Sequence, residues 1–156
     1  MRTTRRGGVR GYDAGKKIVG RKRHLLVDTE GLILKLRVHA ADLQDRDGAT
    51  LVLDQLDGPL SSLELIWADG GYSGEKLQGW MQSRFADRPL RLEIVRRTDR
   101  QTGFKVLPRR WVVEPTFGWL NNFRRLSKDY EFRTDSSEAF IFLAAVLLLL
   151  ARLAKL

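Results

Sequence analysis

The sequence predicts a mixed α/β domain, and three observations lead to that prediction. Apolar residues make up 43% of the 156-residue chain, which suits a packed core and argues against disorder. Short apolar runs with strand-like alternation stand between longer segments with helical periodicity. Gly-, Pro- and Asp-containing turns separate these segments. Their order is β-β-α-β-α-β-α-α, which is typical of a mixed α/β fold.

The first half of the chain contains a predicted hairpin, a helix and a short central strand. Residues 22–27 and 32–38 are the hairpin strands, because they flank the turn sequence Asp-Thr-Glu-Gly. Residues 42–56 form the helix, since acids crowd its first turns, where the helix dipole favours them, and a Gly-Pro pair follows its end. Residues 63–68 (LELIWA) are a mostly apolar run bounded by turn residues, which indicates a buried strand.

The second half of the chain is predicted to be mainly helical. Helices are expected at residues 73–85, 111–126 and 135–156, and a strand at residues 90–95. The last helix is apolar all round between residues 139 and 151, so it needs cover on most sides. That run is shorter than the roughly 20 residues of a membrane span. We therefore expect a protein-packed helix and no membrane contact.

Positive charge is concentrated at the N-terminal end. The net charge is +9, and residues 1–23 hold nine basic side chains against one acid, Asp13. We interpret residues 1–18 as an irregular basic arm that precedes a single domain over residues 19–156. A focused basic segment is typical of polyanion binding, although a solvated charged tail has the same composition. The candidate DNA contacts in this region are Arg5, Arg6, Arg10, Lys16, Lys17, Arg21, Lys22 and Arg23.

The chain has no cysteine, which excludes disulfides, thiolate metal sites and cysteine nucleophiles. No secretory signal follows the basic N-terminus, so we expect a cytoplasmic protein. His24 and His39 are too far apart in sequence to form a local metal motif, and His39 is expected to be structural.

Two carboxylates are candidates for metal-dependent chemistry. Asp69 directly follows the predicted strand at residues 63–68, and catalytic groups in α/β folds collect at strand ends. A turn aspartate that accepts backbone N–H groups is an equally open interpretation. Glu114 lies between basic clusters and is either a metal ligand or a salt-bridge partner. Carboxylates that hold Mg²⁺ or Mn²⁺ can activate a water or a 3′-hydroxyl for attack at phosphorus. Asp45 and Asp47 are interpreted as helix-start residues.

A second basic segment interleaves arginines with aromatic residues. Such a segment suits phosphate contact combined with stacking on unpaired bases. Aromatic residues on a helix are more often core, so we expect Trp111 or Trp119 to be packed and the arginines to be exposed. The candidate DNA contacts here are Arg109, Arg110, Arg124 and Arg125.

Several sequence blocks in a fixed order resemble a known family. The blocks are GYDAGKKIVGRKRHLLVDTEG, HAADLQDRDGA, LIWADGGYSG and LPRRWVVEPTFGWL, the last followed by RRLSKDYE. They are similar to the bacterial insertion-sequence transposases of the group named after insertion sequence five. The similarity covers nearly the whole chain, which makes it far more specific than any single motif.

The resemblance implies a DDE transposase with a ribonuclease-H-like fold, a mixed sheet flanked by helices. Enzymes of this family nick DNA at element ends and join the 3′-hydroxyl ends to target DNA, using Mg²⁺ or Mn²⁺. The resemblance places the second family Asp at Asp69 and the family Glu at Glu114, and it associates Arg110 with the active-site helix and DNA. The implied partners are element-end and target DNA at the bacterial nucleoid.

Two departures from the family pattern change the expectation. The family's first catalytic Asp lies on a strand upstream of the basic arm, and neither Asp13 nor Asp28 occupies that motif. We therefore expect a truncated catalytic domain that lacks the first strand and is inactive alone. Pro115 follows Glu114 where the family has a basic residue, so the helix should begin near Val112 or Val113, because proline fits only the first turn.

A chain without its first strand should also expose unpaired strand edges. Self-association, or pairing with a full-length transposase, follows from that expectation. The alternative function is a non-catalytic DNA-binding remnant, which would act as a dominant-negative partner of the full-length enzyme.

Overall fold

The computed structural model describes residues 1–4, 8–88, 90–95 and 112–154. Contacts divide the chain into two compact units. Unit 1 combines Met1–Gln44 with Val112–Leu156, and unit 2 is Asp45–Trp111. The mixed α/β prediction is confirmed. The described strands form two small sheets.

Unit 1 is an antiparallel sheet packed against helices. The sheet order is β1-β2-β3, and the helices come from the C-terminal part of the chain. Its elements are β1 (Gly11–Asp13), β2 (Ile18–Val27), β3 (Ile33–Ala40), α3 (Val113–Asn121), a 3-10 helix at Arg124–Leu126 and α4 (Thr134–Leu153).

The predicted hairpin is confirmed, and its turn is held by one side chain. Asp28 Oδ1 accepts hydrogen bonds from the backbone N–H groups of Glu30 and Leu32, both at 2.8 Å. Gly31 has φ +81°, which residues with a Cβ rarely adopt. The turn sequence therefore fixes where β2 ends and β3 begins.

The N-terminal arm is not irregular throughout, contrary to the sequence-based interpretation. Gly11–Asp13 pairs with β2, because Gly11, Tyr12 and Asp13 lie opposite Gly20, Val19 and Ile18. Met1 O also accepts a hydrogen bond from Arg21 N at 2.9 Å. Local composition favoured an irregular segment, whereas pairing to a strand that begins only a few residues later orders it.

The core of unit 1 lies between β3 and the helices. Each member of this core is at most 4% exposed. The members are Leu36, Val38, Leu120, Leu126, Ile141 and Ala144. Glu138 also ties α4 to β3, since its carboxylate accepts hydrogen bonds from Val38 N at 2.9 Å and from Arg37 at 3.1 Å.

Beyond this contact, α4 is largely uncovered. Its apolar residues Phe142, Leu143, Val146, Leu147 and Leu150 are between 41% and 56% exposed. By length and composition alone this 20-residue helix could also cross a membrane, a test that core helices pass as well. The cover that the sequence leads us to expect is therefore present on only one side of the helix.

Unit 2 is a parallel two-stranded sheet with helices. Its elements are α1 (Asp45–Leu53), a 3-10 helix at Gly58–Leu60, β4 (Leu65–Ala68), a 3-10 helix at Gly70–Tyr72, α2 (Glu75–Arg84) and β5 (Arg91–Ile94). Parallel strands need a crossover connection, which α2 supplies between β4 and β5. Leu56, Ile66, Leu77 and Met81 form its buried centre.

Candidate functional site

Asp69 is exposed at the carboxyl end of β4. Its Oδ1 accepts a hydrogen bond from Gly71 N at 2.8 Å, and its carbonyl oxygen accepts one from Tyr72 N at 3.1 Å. Asp69 therefore caps the 3-10 helix at Gly70–Tyr72. This geometry matches the turn-aspartate interpretation and also fixes the carboxylate at a strand end, where a ligand can reach it.

A second carboxylate, that of Asp45, lies close to the same turn. A Cβ atom placed on Gly71 would lie 3.1 Å from Asp69 Oδ1 and 3.5 Å from Asp45 Oδ2. Burial raises the pKa of Tyr72 well above its usual range, and the charges of Asp45 and Asp69 raise it further. The Tyr72 phenol is therefore held neutral beside two acids. The interpretation of Asp45 as a helix-start residue missed this proximity, which arises only when α1 packs on the turn.

Glu114 lies exposed in the first turn of α3. The helix begins at Val113 and accommodates Pro115 in its first turn, as the sequence predicts. Thr116 is 2% exposed and donates a hydrogen bond to Gly31 O at 2.8 Å, which anchors this turn to the hairpin. Within the described ranges Glu114 forms no hydrogen bond or ion pair, so the salt-bridge interpretation gains no support there.

Asp69 belongs to unit 2 and Glu114 to unit 1. Among the described residues, no group of three or more His, Asp or Glu side chains converges as a metal site would require. Asp47 is held by Lys76 through an ion pair of 2.7 Å, which lowers the pKa of its carboxyl group. The carboxylate oxygens of Asp69 and Glu114 have the donor chemistry that Mg²⁺ and Mn²⁺ prefer.

The basic side chains of the N-terminal region fall into two groups. Arg10, Lys16 and Lys17 are exposed, as phosphate contact requires. Lys22 donates to Leu43 O at 2.8 Å, and Arg23 donates to Leu126 O at 3.2 Å. Burial lowers the pKa of Arg23 to about 10. The candidates Arg5, Arg6, Arg109 and Arg110 lie outside the described residues.

Arg21 is not available for DNA, contrary to its assignment as a DNA contact. Its side chain is fully buried and forms an ion pair with buried Asp129 at 3.2 Å. The guanidinium also donates to Val9 O at 2.7 Å, Glu131 O at 3.0 Å and Phe132 O at 2.7 Å. The sequence places Arg21 among the other basic residues of this segment, because burial of one cation in a basic run leaves no mark in the sequence.

In the second basic segment, Arg124 and Arg125 are exposed. Arg125 pairs with Glu131 at 2.7 Å and lies 4.3 Å from the ring centre of Phe140. Trp119 is covered by the Arg152 guanidinium at 4.5 Å, in agreement with a packed aromatic residue. Trp111 lies outside the described residues. In the part of this segment that the structure describes, Arg124 and Arg125 are therefore exposed, whereas Trp119 is partly covered.

His24 and His39 form a stacked pair, with ring centres 4.8 Å apart. Antiparallel pairing of β2 with β3 places His24 opposite Arg37 and Lys22 opposite His39, which makes the two histidines diagonal neighbours. The sequence separation of His24 and His39 gave no sign of this stacking, whereas the register of the hairpin predicts it. The structural role expected of His39 stays a prediction.

With this geometry in place, comparison with known proteins identifies the class. Residues 1–149 match the family described as "Transposase DDE domain", and since the match covers almost the whole chain, the chain belongs to the DDE transposases. It is 29% identical over 136 residues to a protein described as a transposase for insertion sequence element IS402 of Burkholderia cepacia. The alignment covers 83% of this chain and 62% of that relative. No solved structure matches.

Proposed function

We propose that this chain is part of the catalytic domain of a DDE transposase of the insertion-sequence-five group, which cleaves and joins DNA strands with a divalent metal. The observation that carries the proposal is the exposed Asp69 carboxylate, fixed by Gly71 N at the end of β4 in a chain of this family. Strand ends are where α/β enzymes place catalytic groups.

The proposed fold is ribonuclease-H-like with its first strand supplied from outside these 156 residues. Two observations support this. The chain spans 62% of the length of its relative. Among the described strands, β4 pairs only with β5, and β2 beyond Arg21 pairs only with β3, so each sheet has an unpaired edge. A further strand carrying the first catalytic Asp would pair with such an edge.

In the active enzyme, Asp69 and Glu114 would each contribute a carboxylate to divalent metal. The ion, when bound, supplies activation of a water or a 3′-hydroxyl and charge stabilisation at phosphorus. The protein's part is to hold the ligands. Gly71 N fixes Asp69, and the Thr116 anchor fixes the turn that carries Glu114. Without the first carboxylate, the isolated chain would still bind metal, but weakly, and it would be inactive because a lost ligand removes charge and geometry from the site.

DNA would be held by exposed basic residues. Arg10, Lys16 and Lys17 would contact phosphates from the N-terminal region, and Arg124 with Arg125 from the second segment. The candidates Arg5, Arg6, Lys22, Arg23, Arg109 and Arg110 stay predictions. We propose that the protein acts on nucleoid DNA in the bacterial cytoplasm, and that exposed α4 supports self-association or pairing with a full-length transposase.

Metal-directed cleavage of the polypeptide tests the ligand assignment. The purified chain is loaded with Fe²⁺ and treated with ascorbate and peroxide, so that hydroxyl radicals cut the backbone near the bound ion. We expect cuts near residues 69 and 114 that Mn²⁺ suppresses by competition. Asp69→Ala and Glu114→Ala should each remove the cut at the mutated position, whereas Asp54→Ala, an exposed acid elsewhere in unit 2, should change nothing. Cuts confined to other segments would contradict the assignment.

Incubation with plasmid DNA and Mn²⁺ tests the expected inactivity. We expect no nicking by the chain alone. Nicking that Asp69→Ala abolishes would support the catalytic role of Asp69 and contradict the need for a further carboxylate.

The second candidate function is non-catalytic DNA binding, as a remnant or a dominant-negative partner. It is favoured by the exposed cations Arg10, Lys16 and Lys17, which can bind phosphates without a metal site. Co-expression with a full-length transposase separates the two candidates. Inhibition of transposition that persists in the Asp69→Ala, Glu114→Ala double variant would indicate this second function.

A further inference from the structure

The surface beside the buried Arg21–Asp129 pair exposes apolar and aromatic side chains that the catalytic proposal does not use. Phe132 is 71% exposed, Val9 is 69% exposed and Tyr130 is 44% exposed. Soluble proteins rarely leave several neighbouring side chains of this kind uncovered unless the surface binds something. We call these three residues the aromatic platform.

Arg21 links two residues of the aromatic platform by donating hydrogen bonds to their backbone carbonyl oxygens. Its guanidinium donates to Val9 O and to Phe132 O, both at 2.7 Å, so the two residues lie side by side. Gly8 N donates to Phe132 O at 3.2 Å, and a Cβ on Gly8 would collide with that oxygen. Residues 8–9, which precede β1, are therefore joined to Phe132, which precedes α4.

Asp129 completes this support. Its carboxylate pairs with Arg21 and accepts hydrogen bonds from Ser137 Oγ at 3.0 Å and Glu131 N at 3.1 Å. Thr4 N donates to Asp129 O at 3.1 Å. A buried pair with this many satisfied hydrogen bonds is rigid. The backbone that carries the exposed side chains is therefore held in place, which lowers the entropy lost when the segment binds a ligand.

The platform's own segment turns its aromatic rings outward. Glu131 lies between Tyr130 and Phe132, is only 16% exposed in its side chain, and pairs with Arg125. The two aromatic residues that flank it are exposed. Exposed and largely covered side chains therefore alternate over residues 130–132.

The charge around the platform is positive. Arg2, Arg10 and Lys128 are exposed in the segments that form it. The nearby acids are neutralised, because Asp129 is buried against Arg21, Glu131 pairs with Arg125, and Asp135 pairs with Arg133. Exposed rings within a cationic surface match a polyanion that also offers flat apolar faces.

We propose that the aromatic platform binds unpaired nucleotides, with Phe132 and Tyr130 stacking on bases and the surrounding cations contacting phosphates. Single-stranded nucleic acid is the ligand that combines both requirements. The proposal deepens the proposed function and rests on it, since it adds a contact for unpaired nucleotides to a protein whose proposed substrate is DNA. It assigns a nucleotide-binding role to Phe132 and Tyr130, which lie outside both candidate carboxylates and outside the basic residues predicted from the sequence.

The test measures binding of the full 156-residue chain to fluorescently labelled oligo(dT) by anisotropy, with EDTA present. Stacking contributes about 1–3 kcal/mol per base, so Phe132→Ala should weaken binding about tenfold. Phe132→Trp should retain affinity, whereas Phe132→Leu should lose as much as Phe132→Ala, because leucine keeps the apolar area but not the flat ring. Phe142→Ala, at an exposed aromatic residue on α4, is the matched control and should bind like the native chain.

Photo-crosslinking with an oligonucleotide that carries 5-iododeoxyuridine locates the contact. We expect crosslinks at Tyr130 or Phe132. Crosslinks confined to other residues, equal affinity of Phe132→Leu and the native chain, or an equal loss of affinity for duplex DNA would each overturn the proposal. Dissociation of a dimer by Phe132→Ala in sedimentation would also overturn it and identify a second copy as the occupant.

The binding assay excludes metal and does not involve Asp69 or Glu114. If the Phe132 variants bind oligo(dT) like the native chain but Fe²⁺ cuts the chain near both carboxylates, the platform proposal fails and the transposase proposal stands. If oligo(dT) binds through Phe132 but Fe²⁺ produces no cuts near the carboxylates, the platform proposal stands and the metal-ligand assignment fails. The two failures are therefore distinguishable.

Discussion

Replacement of Arg21 by methionine should destabilise unit 1 strongly. Methionine keeps much of the stem volume but removes every donor, so Asp129 stays buried with its charge unpaired. Removing one partner of a buried ion pair costs about 3–5 kcal/mol. The carbonyls of Val9, Glu131 and Phe132 lose their donors as well. The expected loss is a large share of the roughly 5–15 kcal/mol by which domains are stable.

Urea denaturation followed by circular dichroism measures this loss. Lys17→Met is the matched control, since Lys17 is exposed, and its free energy of unfolding should change by less than about 0.5 kcal/mol. Adding Asp129→Leu to Arg21→Met should recover part of the loss, because no buried charge then stays unpaired. If Arg21→Met unfolds at the same urea concentration as the native chain, Arg21 does not hold this unit together and our reasoning about its burial is wrong.

Four further predictions follow from the structure. Tyr72→Phe should remove the highest-pH step of the tyrosine absorbance titration, because burial raises the pKa of the Tyr72 phenol. The stability that this raised pKa contributes is full below pH 10.0 and is lost as the pH rises further. An unchanged titration would contradict the burial of the phenol. Gly31→Ala should cost about 1–3 kcal/mol in thermal or urea unfolding because of its positive φ, whereas Gly79→Ala in α2, with open space around it, should not destabilise. Lys17→Gln should reduce the slope of log affinity for duplex DNA against log salt by about 1, and no change would exclude a phosphate contact. Leu150→Lys should reduce self-association in sedimentation, because it places a charge on the exposed face of α4; unaltered association would point to another surface.

Locally encoded features could be predicted from the sequence. The hairpin depends on four consecutive turn residues and on apolar alternation beside them, so β2 and β3 were found within a few residues. The start of α3 followed from the restriction that Pro115 imposes on a helix. The hairpin turn and the position of Pro115 each depend on a few consecutive residues, so neither prediction needs information about tertiary contacts.

Features that depend on packing could not be predicted in this way. Arg21 resembles Lys22 and Arg23 in composition, and only its contact with Asp129 makes it structural. The approach of Asp45 to the Asp69 turn depends on how α1 packs within unit 2. Hydrophobic periodicity states which face of an element is buried, but not which partner covers it.

The division of the chain has a consequence for the order of events during protein synthesis. Unit 2 is one continuous stretch, whereas unit 1 joins the beginning of the chain to its end. The hydrogen bond donated by Val38 N needs the carboxylate of Glu138, and the ion pair of Arg21 needs the carboxylate of Asp129. Neither contact can therefore form until the last third of the chain has left the ribosome. During translation, the β2–β3 hairpin is therefore exposed while residues 45–111 are free to fold first. A ribosome stalled before α4 should carry a protease-resistant unit 2 and a protease-sensitive N-terminal segment.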